Sequence, residues 1–136
     1  MMPYLTSAYG AFKLLVRDYE EALEYVHPCD SNANTYSHRL YELLLRSYTE
    51  FESLAKGAAF KRNLIPSNNQ TKINELSRLT QSLDLDPIEV GVPAWGPQEY
   101  IISPLSGWAK KPHELYWYRA YNDVKHQRAV RFPEAK

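Results

Sequence analysis

Cysteine is almost missing from this sequence: Cys29 stands alone, so no disulfide can close within the chain. Glycine is nearly as scarce, with five residues, and neither Gly-x-x-x-x-Gly-Lys nor Gly-x-Gly-x-x-Gly occurs. Nucleotide chemistry built on those phosphate-cradling loops is thereby excluded. No apolar run approaches the length of a membrane span, since Leu14-Leu15-Val16 runs directly into Arg17-Asp18. Nor is there a net charge: 16 basic residues balance 16 acidic ones, so no global field advertises a polyanionic partner. No cationic, apolar and small-residue sequence of a leader opens the chain, and the expected location is the cytoplasm, with no membrane partner.

What is present describes one soluble domain covering residues 1–136, because a chain of this length supports a single core. The charge is unevenly spread. Residues 1–60 carry five basic and eight acidic side chains, whereas residues 107–136 carry seven and three. Contacts with RNA or phosphate are therefore expected at the C-terminal end.

Hydrophobic periodicity predicts an amphipathic helix from Tyr9 to Val26, with Phe12, Leu15, Val16, Tyr19, Ala22, Leu23 and Val26 on its apolar side. Pro28 and the turn-rich run after it end that helix, and Asn34 or Thr35 is expected to cap a second one over Tyr36 to Ala59. A third, shorter helix is expected from a capping box at Ser67-Asn68-Asn69-Gln70 to Leu83, stopped by Asp86-Pro87. Between residues 87 and 107 the breakers Gly91, Pro93, Gly96, Pro97, Pro104 and Gly107 forbid a long helix. There the expectation is an irregular insertion or a short β-hairpin, with extended pieces at Ile88 to Val92 and Glu99 to Ser103 around a turn at Trp95-Gly96-Pro97. Pro112, a favoured first helical residue, opens the last helix, which is expected to run to Arg128. The fold class is all-α: a bundle of three to four helices with that insertion.

The last helix carries the chemistry. At 100° per residue Trp117, Tyr121 and Val124 share one side, and Arg119, Asn122, Asp123 and His126 share the other. Histidine exchanges a proton near neutral pH, arginine grips phosphate with two hydrogen bonds, and asparagine orients either group. Such a set can act on a phosphodiester without a metal. The plainer reading is a set of cations near a helix C-terminus that complements the macrodipole. Elsewhere, His27-Pro28-Cys29-Asp30 matches no structural zinc pattern, and Asp84, Asp86 and Glu89 lack the ordered spacing of a calcium loop. No metal or cofactor is assigned. Tyr48 and Tyr118, near helix flanks, are the tyrosines placed to stack on bases, and Glu50 and Glu52 are either surface carboxylates or partners for Arg119 or His126.

The run Trp117-Tyr118-Arg119-Ala120-Tyr121-Asn122-Asp123-Val124-Lys125-His126-Gln127-Arg128 resembles the Trp-x-x-Ala-Tyr-Asn-x-Val-Lys-His-x-Arg signature of a subset of small bacterial HEPN-like proteins. Tyr41 to Glu52 is similar to the helical opening of that group. The resemblance implies a dimerising helical bundle whose site is built between protomers, and metal-independent ribonuclease activity in toxin–antitoxin, phage-defence or stress systems. Its implied partners are a second copy, RNA and an antitoxin-like protein. Carried onto this chain, the catalytic residues are Arg119, Asn122 and His126, and Lys125, Arg128 and Tyr118 contact substrate. Family members that lack the full motif are binding modules. Here Ala120 follows Arg119 where a polar residue is usual, and the chain continues only ten residues beyond His126, where the family adds a further helix.

Overall fold

The computed structural model describes residues 3–66, 71–92 and 100–136. It is mainly helical, with one small antiparallel sheet. Helix α1 (Pro3–Tyr25) and helix α2 (His38–Lys61) form an antiparallel hairpin. The loop between them is closed by Asn32, whose side-chain amide donates to the His27 carbonyl at 2.9 Å. The cap of α2 is Ser37, a few residues beyond Asn34 and Thr35, its hydroxyl accepting from the Leu40 amide at 3.1 Å.

An ion pair fastens the hairpin. Asp18 on α1 accepts from Arg46 of α2 at 2.6 Å and from its neighbour Arg17 at 2.8 Å. The Arg46 hydrogen bond first, and then that of Arg17, hold its carboxyl below the usual value. The contribution to stability is therefore present above the ordinary carboxylate pKa and is lost as pH falls through the lowered one. Asp18→Asn is expected to lower the urea midpoint at neutral pH, and to differ little from the wild type once the pH has fallen below the lowered pKa of Asp18. Equal losses at both pH values would show that the pair does not act through its charge.

The expected single third helix is two short ones, α3 (Ile73–Leu76) and α4 (Leu79–Leu83). The break has a local cause: the Ser77 hydroxyl donates to the Asn74 carbonyl, while the Arg78 guanidinium reaches across to the Leu64 carbonyl at 2.9 Å. The capping box placed at residues 67–70 lies outside the described residues. Asp84, in the left-handed conformation at φ 50°, closes α4 before Asp86-Pro87 is reached. Two strands follow, β1 (Val90–Val92) and β2 (Tyr100–Ile102), paired Val90 with Ile102 and Val92 with Tyr100. The turn expected at Trp95-Gly96-Pro97 also lies outside the described residues.

Helix α5 runs over Tyr116–His126, four residues later than Pro112 would start it. The reason lies in Leu115. On a helix continuous from Pro112, Leu115 would sit about 150° away from the stripe of Trp117, Tyr121 and Val124. Instead the backbone is extended at Leu115 (φ −56°, ψ 123°), and its side chain turns into the core. After Gln127 come α6 (Arg128–Arg131) and a 3-10 turn at Phe132–Glu134. This segment folds back: Phe132 packs among Tyr36, His38 and Tyr41, Ala135 is fully buried, and the Lys136 ammonium donates to Asn34 at 3.0 Å.

The core lies where α2, α3, α4 and the segment before α5 converge, around Trp108, Leu76, Leu79, Ile73, Ala55, Ala59 and Leu115. Of the apolar stripe expected on α2, Ala55 is buried, Leu40, Leu43, Leu44 and Phe51 are half-buried, and Leu54 is exposed. No described side chain of α1 is fully buried.

Candidate functional site on the outer face of α5

Helix α5 packs antiparallel on α2 through aromatic rings. Tyr121 stacks on Tyr48 with centroids 3.7 Å apart, and Trp117 meets Phe51 edge to face at 4.9 Å. The Trp117 indole N–H donates to the Pro104 carbonyl at 2.7 Å, which ties the helix to the turn that follows β2. These contacts fix the rotation of α5 about its axis. Arg119, Asn122 and His126 then share an outward arc of roughly 60° and are all exposed. Among the described residues none of the three has a side-chain hydrogen-bond or ion-pair partner, so their polar groups face solvent. Asp123 borders the arc and is half-buried.

The three residues assigned to substrate contact are placed differently. The Lys125 ammonium donates to the Tyr121 hydroxyl at 2.9 Å and lies 5.3 Å from the centre of that ring. This hydrogen bond, more than any charge, pushes the Lys125 pKa up and keeps the side chain cationic. Arg128 stacks its guanidinium over Tyr41 at 5.7 Å. Tyr118 is half-buried beside Tyr48 and Tyr121. Burial first, then neighbouring Tyr121 and Glu52, push its phenol up, so it remains protonated.

Tyr48, expected at a flank where it could stack on bases, is buried instead, and burial pushes its phenol above the ordinary range. Its ring is consumed by the contact with Tyr121. Glu52 pairs with Lys56 one turn along α2 at 3.1 Å, and Glu50 lines a groove with Ala8 and Leu54. Neither carboxylate is paired with Arg119 or His126, as a helix lies between α1-facing Glu50 and the outer face of α5.

Of the cavities among the described residues, two flank the hairpin and the aromatic packing, away from this face. One, of about 230 Å³, lies between α1 and α2 and is lined by charged side chains including Arg17, Asp18, Glu42 and Arg46. The other, of about 370 Å³, is almost wholly apolar and lies between α2 and β2, with Leu44, Phe51, Ile102 and Trp117 in its walls. Sequence reasoning missed this second cavity, because its walls come from three segments that no local period connects. Among the described residues no three His, Cys, Asp or Glu side chains come together as a metal-ligand set.

The structure thus defines a class: a helical bundle with a short β-ribbon, no described helix long and apolar enough to cross a membrane, and a polar face on its fifth helix. Comparison with family models, curated proteins and solved structures finds no match for the chain.

Proposed function

We propose that the chain is a metal-independent endoribonuclease of the HEPN type, acting as a homodimer and using the outer face of α5. The observation that supports this is the outward arc of Arg119, Asn122 and His126, free to engage a ligand rather than committed to the fold. Two helical turns separate Arg119 from His126, about 10 Å along the axis, and their side chains can converge on a single phosphodiester. Cationic Arg128 and Arg131 follow directly after the helix end and are exposed. They supply the positive charge that an RNA backbone requires.

In the proposed reaction the ribose 2′-oxygen attacks the adjacent phosphorus while its proton passes to the His126 imidazole. Arg119 and the Asn122 amide stabilise charge on the phosphate oxygens. The bond to the 5′-oxygen breaks, and the imidazolium returns the proton to that leaving oxygen. The products are a 2′,3′-cyclic phosphate and a 5′-hydroxyl. An antitoxin-like partner and a role in toxin–antitoxin, phage-defence or stress systems belong to the same proposal.

A second reading is a catalytically silent HEPN-like module that holds RNA or a partner protein. It is favoured by the absence, among the described residues, of a carboxylate bonded to His126 to fix its tautomer. Incubation with single-stranded RNA, and with DNA of the same sequence, separates the readings. Cleavage of RNA alone, undiminished by EDTA and ending in cyclic phosphate, is the expected result. Salt-dependent binding without cleavage would leave the second reading, and cleavage of DNA or inhibition by EDTA would overturn the mechanism.

A further inference from the structure

The cavity of about 370 Å³ between α2 and β2 is built unlike the one in the helical hairpin. In the hairpin cavity the charges answer one another, Asp18 with Arg17 and Arg46, and Arg39 with Glu42 at 3.4 Å. Around the larger cavity, among the described residues, no charged side chain stands. Three elements meet there: Leu44, Tyr48 and Phe51 come from α2, Ile102 from β2 and Trp117 from α5. The size lies within the range of small-ligand sites, roughly 300–1,000 Å³. An apolar cavity of roughly 150 Å³ already holds one benzene ring, so this one has room for two fused rings. Its aromatic walls cross rather than lie parallel. Phe51 meets Trp117 edge to face, and Tyr48 is tilted 45° to Trp117 at 6.2 Å, an arrangement in which a further aromatic ring finds both faces and edges to pack against.

The polar groups of the wall are few and not equivalent. The Trp117 indole N–H is already taken by the Pro104 carbonyl. Ser47 and Tyr116 are exposed, so water reaches their hydroxyls. Tyr48 is only 7% exposed, yet its hydroxyl has no hydrogen-bond partner among the described residues. A buried hydroxyl left unpaired is costly, and a ligand that pairs it recovers that cost. Burial keeps this phenol protonated, so it has a proton to donate. We infer that the cavity is a binding site for an uncharged compound of two fused rings that carries a hydrogen-bond acceptor for the Tyr48 hydroxyl. Charge on the ligand is excluded, because these walls offer an ion no counter-charge to repay its lost hydration. The site is separate from the outer face of α5, and the inference stands whether or not that face cleaves RNA.

Titration of the full chain with quinoline, which is uncharged at neutral pH and has two fused rings and one acceptor nitrogen, tests this. The signal is the indole N–H resonance of Trp117, a wall residue. Saturable binding with Kd of roughly 0.1–1 mM is expected, the scale for a ligand of about ten non-hydrogen atoms. Tyr48→Phe should weaken quinoline by about three- to tenfold and leave naphthalene, which has the rings without the acceptor, unaffected. Naphthalenesulfonate, with the same rings and a negative charge, should bind at least about tenfold more weakly than quinoline. Ser47→Phe, at an exposed position on the cavity wall, should abolish binding with an unchanged circular dichroism spectrum. Absence of saturable binding, equal binding of the sulfonate, full affinity in Ser47→Phe, or a Tyr48→Phe variant that treats quinoline and naphthalene alike would each overturn the inference.

Discussion

Trp108→Ala is expected to cost about 3–5 kcal/mol of stability, the scale for deleting a fully buried large aromatic side chain. Trp108 is the largest completely buried residue of the described chain, and its ring lies 5.6 Å from that of Phe51. It is held there by backbone rather than by a helix. Gly107, at φ 75°, turns the chain, its amide donates to Asp86 at 2.7 Å, and the Trp108 amide donates to the Leu105 carbonyl. Alanine would leave a void among Ala55, Ala59, Leu76 and Leu79, and rigid short helices cannot collapse to fill it. For a domain with only 5–15 kcal/mol in hand, the melting temperature should fall by about 10–20 °C. The indole N–H has no acceptor among the described residues, so Trp108→Phe gives up little hydrogen bonding and should cost only about 1 kcal/mol. Thermal denaturation of both variants decides the matter. A shift under about 3 °C for alanine would mean that the core is centred elsewhere.

That prediction concerns a residue that no local pattern singles out. Helices α1 and α2 are legible because each repeats its apolar positions over five turns or more, although α1 begins at Pro3, six residues before the expected Tyr9, and leaves Phe12 and Val16 of its expected apolar side exposed. The ribbon is legible for the opposite reason: dense breakers leave only short extended pieces between them, and Val90–Val92 and Tyr100–Ile102 are where they fall. Trp108 lies within a run of prolines, glycines and turns where neither period applies, and its burial is decided by elements distant in sequence. Leu115 shows the same conflict at one residue. Pro112 is a sound local signal for a helix start, but the core requires Leu115 inward, and the backbone breaks to place it there. Tyr48 is a third case. Its position on α2 leaves it free, and only the arrival of α5 stacks Tyr121 on it. The polar face of α5 was readable because one helix carries all of it. Its surroundings were not, since what faces a helix is a tertiary fact.

His126→Ala is expected to reduce RNA cleavage by about a hundredfold or more, the usual loss for one acid–base group, while leaving the fold intact. The second half follows from burial. His126 is exposed at the end of α5, and the side chains that bind the helix to the core, Tyr121 and Val124, lie on the opposite side. Removing an exposed imidazole disturbs no packing and strands no buried partner. Loss of one exposed side chain at the helix end is the most that stability should register, about 0.5 kcal/mol or less. Arg119→Lys separates charge from shape at the other end of the face. It keeps the cation but loses the planar pair of donors that grips two phosphate oxygens, so cleavage should fall while RNA binding changes little. Lys125 gives the internal control, because its ammonium is already held by Tyr121 and its replacement should disturb that contact before it disturbs catalysis. Initial rates on one RNA, with melting curves for each variant, are the measurement. Cleavage undiminished in His126→Ala, with folding unchanged, would remove the imidazole from the mechanism and leave the outer face of α5 as a binding surface.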